Sequence, residues 1–528
     1  MENVGSVSIS RPVHLTRYTR YRVLAGAILV QLILGTVYGY SIFWTPLDAK
    51  VFPPVITRSE RVKRIARGED VSGFTVVDNK EAAEKRLAQQ QGYLKYAFSI
   101  CILTFAVVMI IAGRIQDVKG PRLPAVIGAV LMGVGFITAG LMNSPIVFYI
   151  AHAAFAGMVV IVLLMLYHAL FGHLDKEERA ITRHVPNGIM ASVIVAAVVL
   201  GQQYVGKMGE WDKLFLLWGT VGFLAGAGIG FAYVCPIAAL VKWFPQHKGL
   251  VSGLAVAGFG FGAYLFKDER FGALGYIREH DITSFFVVHG VVCLVAVTLG
   301  AMMLCNPPVT DRPASGVAPT ESTWQETLKK PTFYMLWLMF FSGAMAGLMV
   351  IGIVSPFVTD QLLSAKLSAA EATAAGAAAV GFLAIFNALG RIVWGLVSDR
   401  IGRTAAFVAM FVLQAATMFL LGTLDTRAAL CVGASVVGFN FGGNFALFPS
   451  ATADLFGAKN LGANYGWVFT SYGIAGVVGI VAGNAAKVTT GSYTAAFAIA
   501  GVLCLVSAGL AIGLRFVHQK SQAALKAI

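Results

Sequence analysis

Apolar runs of about 18 to 25 residues recur along the chain and restrict its fold more than any other feature. A helix of that length crosses the roughly 30 Å of hydrocarbon in a bilayer at about 1.5 Å per residue. Of the 528 residues, 57% are hydrophobic and 12% are charged, whereas soluble domains carry about 25% charged residues. The sequence therefore predicts a polytopic helical membrane protein. It argues against a soluble enzyme, a secreted disulfide scaffold and a nucleic-acid binder, despite a net charge of +14.

The apolar runs form a group of eight followed by a group of six. Their bounds are 23–46, 93–113, 123–142, 146–172, 188–206, 213–236, 249–266 and 284–305, then 332–356, 375–397, 404–422, 428–450, 461–483 and 493–516. Residues 306–331 are rich in Pro, Ser and Thr and cannot bury enough apolar surface to form another span. This pattern predicts an N-terminal helical bundle (1–305), a linker (306–331) and a C-terminal helical bundle (332–528).

The distribution of Lys and Arg indicates which side of the membrane the linker faces. Loops on the side of the linker and the termini hold 21 of these residues, and the opposite loops hold 8 when residues 47–92 are left out. Because cytoplasmic loops of membrane proteins are basic, we expect cytoplasmic termini and a cytoplasmic linker in an inner, or plasma, membrane. Residues 47–92, expected to be an extracytoplasmic insertion, count against this orientation because they hold nine basic residues.

A short turn motif occurs twice, after the second run and after the tenth. Each copy has an Asp four residues after a Gly, a second Gly three residues further on, and then an Arg. The copies are Gly113, Asp117, Gly120 and Arg122, and Gly395, Asp399, Gly402 and Arg403. Gly permits a tight turn at a helix end, and Asp can cap or pair with a neighbouring helix. Two copies at corresponding places indicate an internal repeat.

This repeated turn resembles the signature of the major facilitator superfamily. Two further segments, Phe231–Ala263 and Gly438–Gly476, resemble the oxalate/formate antiporter family, which is similar in turn to monocarboxylate transporters. The resemblance implies an all-α fold of two six-helix bundles related by a pseudo-twofold axis along the membrane normal. It also implies a central substrate site and alternating access by rocking of the two halves.

Two segments depart from that twelve-helix pattern. In the insertion 47–92, Asp78 or Asn79 is expected to cap an outward extension of the second span. Residues 145–206 are predicted to form an extra transmembrane hairpin in the N-terminal half, which brings the total to about 14 helices. We expect the hairpin to be a peripheral, lipid-facing addition whose His152 and His168 bond to neighbouring groups.

Arg391 is the clearest ionisable residue away from the ends of a predicted span. It precedes Asp399 by eight residues, about 12 Å of helix, which places it near the middle of the membrane. A charge there is costly and usually functional, so we expect Arg391 to bind substrate. The alternative is that its long side chain reaches the surface or pairs with Asp399. Asn387, one turn earlier on the same face, is expected to hold the guanidinium or to donate to a second substrate oxygen.

The resemblance implies a carboxylate as the ligand of this pair. In the similar transporters, the Arg of an Asn-x-x-x-Arg segment binds the substrate carboxylate, which a guanidinium matches with two parallel hydrogen bonds. Oxalate exchangers of the family carry a Lys in the eleventh family helix, where this chain reads Thr-Ser-Tyr-Gly at 470–473. A single buried cation favours a monoanion over a dianion. Tyr472, Tyr38 and Tyr233 are further candidates for substrate binding.

Together these features predict a secondary transporter of small monocarboxylates such as lactate, pyruvate or formate, working by proton symport or anion exchange. Oxalate/formate exchange and a membrane carboxylate sensor remain alternatives. We expect no enzymatic activity, cofactor or metal, because the sequence has no nucleotide-binding loop and its six cysteines lack ligand spacing. The expected partners are a small organic anion, a proton or counter-anion and the lipid bilayer, with no nucleic acid, for a chain expected to act as a monomer.

Overall fold

The computed structural model describes residues 13–142, 188, 191, 209–267, 272–308 and 321–526. Within these ranges, eleven helices are long and apolar enough to cross a membrane. A shorter apolar stretch belongs to a helix at Lys248–Lys267, which matches the predicted run 249–266. All twelve predicted runs outside 145–206 are therefore helical, which confirms the all-α membrane fold. The predicted hairpin, with His152 and His168, lies outside the described residues apart from positions 188 and 191.

The described part of the N-terminal half contains five helices long enough to span a membrane, a sixth and shorter apolar helix, and a small outer insertion. Its helices are α1 (Val13–Leu34) with a 3₁₀ continuation (Gly35–Phe43), α2 (Trp44–Val51), α3 (Arg58–Ala66), α4 (Lys80–Lys119), α5 (Arg122–Gly140), α6 (Glu210–Leu217) continuing through a π-helical turn (Trp218–Leu224) into α7 (Ala225–Trp243), α8 (Lys248–Lys267), α9 (Ala273–Glu279) and α10 (Ile282–Met303).

Residues 321–526 contain six further helices long enough to span a membrane, preceded by one short helix. Its helices are α11 (Trp324–Leu328), α12 (Pro331–Ser364), α13 (Ala369–Ile401), α14 (Arg403–Leu421), α15 (Arg427–Phe456), α16 (Leu461–Thr490) and α17 (Thr494–Lys526). The two halves pack together mainly through α4 against α16 and α8 against α13. We call the helix ends near residues 306–331 the linker side, and the opposite ends the outer side.

Local sequence explains where the helices that carry the site begin and end. Asn79 caps α4, because its side-chain Oδ1 accepts a hydrogen bond from the Ala82 N–H at 2.8 Å; of the two predicted caps, Asn79 is the one used. The outward extension of the second span is confirmed, since α4 begins at Lys80. Gly120 and Gly402 end α4 and α13 with positive φ angles of 86° and 88°, a conformation that Gly adopts without a steric penalty.

The insertion 47–92 forms a small folded unit on the outer side of the N-terminal half. Strand β1 (Val55–Thr57) pairs in parallel with β2 (Thr75–Val77), with Val55 opposite Thr75, and α3 connects the two strands. Two ion pairs, Lys50 with Asp281 at 3.3 Å and Arg86 with Glu210 at 3.4 Å, join this region to α10 and α6. The insertion is therefore attached to helices of its own half.

The end of the linker is ordered against the C-terminal half. The Ser322 carbonyl accepts hydrogen bonds from the side chains of Asn460 and Asn464, and its N–H donates to the Phe456 carbonyl at 2.9 Å. Helix α11 follows directly, where the Thr323 N–H donates to the Glu326 carboxylate and lowers the pKa of that carboxyl. Residues 321–330 thus belong structurally to the C-terminal half, although composition alone assigned them to the linker.

Candidate substrate site

Arg391 lies on α13 where the two halves meet, and its side chain is completely buried. Its Nε donates to Asn387 Oδ1 at 3.2 Å, and its Nη1 donates to the Val256 carbonyl at 2.6 Å. Asn387 therefore holds the guanidinium from the same helix, the first of its two expected roles. Val256 belongs to α8, so the second bond crosses from one half to the other. The side chain neither reaches the surface nor pairs with Asp399, which bonds to α8 instead.

Two aromatic rings enclose the guanidinium. The Arg391 Cζ lies 4.5 Å from the centre of the Phe445 ring, in the C-terminal half, and 5.5 Å from that of Phe259, in the N-terminal half. A ring face attracts a cation, with a contribution of about 2 kcal/mol when both are desolvated. The Nη2 nitrogen has no hydrogen-bond partner among the described residues. One strong charged donor is therefore left unused in a buried position.

Four tyrosines surround the same space. The hydroxyls of Tyr38 and Tyr472, from opposite halves, bond to each other at 2.7 Å. Tyr233 and Tyr465 are fully buried, and neither hydroxyl has a hydrogen-bond partner in the described part of the chain. The two phenols interact electrostatically with each other and with Arg391. A buried, unbonded hydroxyl is costly, so the site contains two phenols and one guanidinium nitrogen without partners.

The structure brings together all five residues proposed from sequence for substrate binding: Arg391, Asn387, Tyr472, Tyr38 and Tyr233. It adds Tyr465 and the rings of Phe259 and Phe445, which sequence reasoning missed. Tyr465 precedes Tyr472 by seven residues, two helical turns, so the two share one face of α16. This seven-residue spacing from Tyr472 is the feature of the sequence that could have identified Tyr465 as a residue of the site.

The two turn motifs bond to helices of the opposite half. Asp117 accepts hydrogen bonds from the backbone N–H groups of Gly462 and Ala463, at 3.0 and 2.8 Å, at the start of α16. Asp399 accepts from the N–H groups of Gly249 and Leu250, at 2.9 and 2.8 Å, at the start of α8. A carboxylate at a helix N-terminus is stabilised by unpaired N–H groups and the helix dipole. The repeat in sequence is thus a repeat of one contact between the halves.

Basic residues complete these linker-side contacts. Arg403 pairs with Asp399 at 2.8 Å and with Asp454 at 2.9 Å. Lys248 of the N-terminal half also pairs with Asp454, at 2.7 Å. Arg122, the counterpart of Arg403, donates to the Leu304 carbonyl at 2.7 Å and so stays within its own half. The arginines of the two motif copies therefore have different kinds of partner, whereas the two aspartates make equivalent contacts.

Glycines allow the backbones of the two halves to touch on the linker side. A Cβ on Gly113 would collide with the Gly462 carbonyl, and one on Gly395 would collide with the Gly249 carbonyl. Further along the same helix pairs, a Cβ on Gly253 would collide with the carbonyl of Arg391. Small residues permit such close helix crossings. The halves are thus in direct backbone contact from their linker-side ends to the depth of the buried guanidinium.

Two bundles of helices long and apolar enough to cross a membrane, which meet around a buried guanidinium, define the class of the protein as a polytopic membrane protein. Residues 345–527 match the family model described as "Major Facilitator Superfamily". The C-terminal half of the chain is therefore similar to this superfamily.

Curated relatives and solved structures resemble large parts of the chain. The "Uncharacterized MFS-type transporter YhjX" of Escherichia coli is 26% identical over 87% of this chain and 86% of its own length. The "Oxalate:formate antiporter" of Oxalobacter formigenes is 28% identical, covering 60% of this chain and 72% of its own. The "Apicoplast pyruvate carrier 1" of Toxoplasma gondii is 27% identical, covering 47% and 56%. Among solved structures, the E. coli fucose:proton symporter FucP superposes with a TM-score of 0.55 at 11% identity, over 94% of this chain and 98% of its own, which shows a common fold.

Proposed function

We propose that the protein transports small monocarboxylates by alternating access, with Arg391 as the residue that binds the carboxylate. The observation that carries this proposal is the buried guanidinium between the halves. Among the described residues, its Nη2 has no partner, and two buried phenols of the same site also lack a hydrogen bond. A carboxylate oxygen accepts hydrogen bonds from guanidinium and phenol donors alike. A carboxylate therefore satisfies the groups that the protein leaves unpaired.

The charge of the site supports a monoanion as the substrate. Arg391 is the one Lys or Arg residue that is buried within the described ranges, and Tyr472 occupies the stretch where oxalate exchangers of the family carry a Lys. One carboxylate neutralises one guanidinium, whereas a dianion leaves a second negative charge to be stabilised by neutral phenols at low dielectric. Pyruvate, lactate and formate meet this requirement.

The linker-side contacts support a transport cycle with two end states. With termini and linker in the cytoplasm, the present arrangement is closed towards the cytoplasm, and Asp117 and Asp399 hold that closure through bonds to the opposite half. Breaking these bonds lets the halves rock apart on the linker side and exposes the site to the cytoplasm. This orientation corresponds to a protein of the inner, or plasma, membrane of the cell.

The groups around Arg391 limit the ways in which transport can be coupled to a proton or a counter-anion. No Asp or Glu among the described residues forms an ion pair with Arg391. We therefore do not propose that a carboxyl side chain beside Arg391 carries the proton. The substrate itself brings the proton, or a counter-anion occupies Arg391 during the return step. Both versions use the same binding site.

Oxalate/formate exchange is a second candidate, favoured by the similarity to the Oxalobacter formigenes antiporter. In that case the phenols of Tyr38 and Tyr472 would accommodate the second carboxylate in place of a lysine. Uptake of oxalate would then be balanced by export of formate, and neither anion would move without the other.

A substrate panel in proteoliposomes tests both candidates. We expect uptake of labelled pyruvate, lactate or formate to exceed that of oxalate, and to increase with an inward proton gradient if the proton accompanies the substrate. Liposomes without protein provide the control. Oxalate counterflow faster than uptake of any monocarboxylate would contradict the main proposal in favour of exchange, and carboxylate binding without flux would indicate a sensor.

Replacing the unbonded phenols tests their part in binding. We expect Tyr233→Phe and Tyr465→Phe each to raise the KM for the carboxylate about tenfold while changing kcat little, because each loses one hydrogen bond to a charged group. Measurement of initial uptake rates over a range of substrate concentrations gives both constants. Tyr40→Phe is the matched control, since its hydroxyl is also buried and unbonded but its ring packs against Phe136 away from the site. An unchanged KM in both site variants, or an equal change in Tyr40→Phe, would contradict the assignment.

A further inference from the structure

A groove of about 670 Å³ runs along the membrane-facing surface of the C-terminal half, between α14 and α17. Its walls on α14 contain three exposed alanines, Ala405, Ala409 and Ala416, whose small side chains leave the space open. Val412 on α14 and Ile512 on α17 are also exposed and complete an apolar lining. In a bilayer, a surface of this kind is covered by hydrocarbon.

The groove has the length of one leaflet. The residues of α14 that line it extend from Thr404 to Ala416, about 18 Å of helix. Half of the hydrocarbon core is about 15 Å thick. One acyl chain of a phospholipid, extended from the linker-side surface towards the middle of the membrane, fits this length.

The linker-side end of the groove carries an unused positive charge. Arg515 lines this end, is exposed, and has no hydrogen bond or ion pair to any described residue. The Thr404 side chain lies at the same end. The neighbouring Arg403, by contrast, is neutralised by Asp399 and Asp454. Within the described ranges, Arg515 is therefore a cation available to a group outside the protein, at the level where lipid headgroups lie.

We propose that this groove binds a phospholipid of the linker-side leaflet, with one acyl chain between α14 and α17 and an anionic headgroup on Arg515. The apolar walls supply affinity for the acyl chain, and the guanidinium selects a headgroup with net negative charge because it has no ion pair among the described residues. A phospholipid with a zwitterionic headgroup makes the same acyl-chain contacts in the groove, but its headgroup is attracted less strongly to Arg515. The site is independent of the substrate site and of the transported compound.

Native mass spectrometry of the full chain, with phosphatidylglycerol and phosphatidylcholine of equal chain length, tests the proposal. We expect the wild type to bind phosphatidylglycerol about fivefold more tightly, the effect of one cation near a headgroup. Arg515→Gln should remove most of this preference, and Arg515→Lys should retain it. Ala409→Phe, which fills the groove, should reduce binding of both lipids. Arg427→Gln removes an exposed arginine at the outer end of α15 and should change neither.

Three outcomes would overturn the proposal. Equal binding of the two lipids by the wild type would remove the role of the headgroup charge. An undiminished preference in Arg515→Gln would place that charge recognition elsewhere. Unchanged lipid binding in Ala409→Phe would show that the acyl chain of the lipid does not occupy the groove. All substituted positions are exposed, so the variants are expected to fold. Inorganic phosphate at the same concentration as the lipid should not compete with lipid binding.

Discussion

Replacing Arg391 with alanine is expected to reduce carboxylate uptake by a factor of about 100 or more, because removing one partner of a buried charged contact costs about 2–5 kcal/mol. Arg391→Lys should recover part of the loss, since it keeps the charge but not the planar fork that matches a carboxylate. Initial rates of uptake into proteoliposomes, normalised to the amount of inserted protein, give the measurement.

Folding of these variants can be checked separately from transport. Alanine removes an incompletely bonded buried charge, so Arg391→Ala should elute as a single species in size-exclusion chromatography. Arg400→Ala is the matched control, because Arg400 lies on the same helix but is exposed. Uptake that survives in Arg391→Ala, or falls equally in Arg400→Ala, would remove Arg391 from the mechanism.

Asp117→Asn combined with Asp399→Asn is expected to open the linker side. Each aspartate accepts two backbone N–H bonds from the opposite half, one on each carboxylate oxygen. Asparagine keeps the shape but loses the charge and, because its NH2 group cannot accept, one of the two bonds. Charged hydrogen bonds contribute roughly 1 kcal/mol more than neutral ones. With one bond lost and the other weakened at each site, the double variant should lose about 3 kcal/mol or more, a shift of at least about 100-fold towards the open state.

Spin labels at Lys119 and Lys459 can measure this opening. Both residues are exposed on the linker side, one in each half, so the distance between the labels should lengthen in the double variant. Asp360→Asn is the control, since Asp360 pairs with Lys487 inside the C-terminal half at 2.7 Å. A distance distribution unchanged from the wild type would show that the two aspartates do not hold the closure.

Sequence was sufficient for the spans and for the central residue. Run length alone determines which segments can cross the bilayer, and the twelve runs outside 145–206 are helices. Arg391 could be found because a charge in the middle of an apolar run has few structural explanations. Its burial and its bond to Asn387 follow from position and from the spacing of one helical turn.

The walls of the site could not be predicted in the same way. Phe259 and Phe445 are two of 36 phenylalanines, and an apolar ring in an apolar helix carries no mark of what it contacts. The bond from Arg391 to the Val256 carbonyl depends on how closely α8 approaches α13, which Gly253 permits. Such contacts are set by the packing of helices distant in sequence.

The turn motifs show an intermediate case. Their spacing predicted that the aspartates would cap or pair with a neighbouring helix, and they do. It could not indicate which helix, because the partners Gly249 and Gly462 are far away in sequence and identified only by their backbone N–H groups. Both partners begin a Gly-x-x-x-Gly segment, Gly249–Gly253 and Gly462–Gly466, so the repeat extends to the contacted surfaces.

A structure of the protein with pyruvate bound tests the central claim most directly. The account predicts the pyruvate carboxylate within about 3 Å of the Arg391 guanidinium nitrogens, the usual length of a charged hydrogen bond, with Tyr233 or Tyr465 donating to the same ligand. A carboxylate bound elsewhere, with Arg391 still bonded only to Asn387 and the Val256 carbonyl, would contradict it.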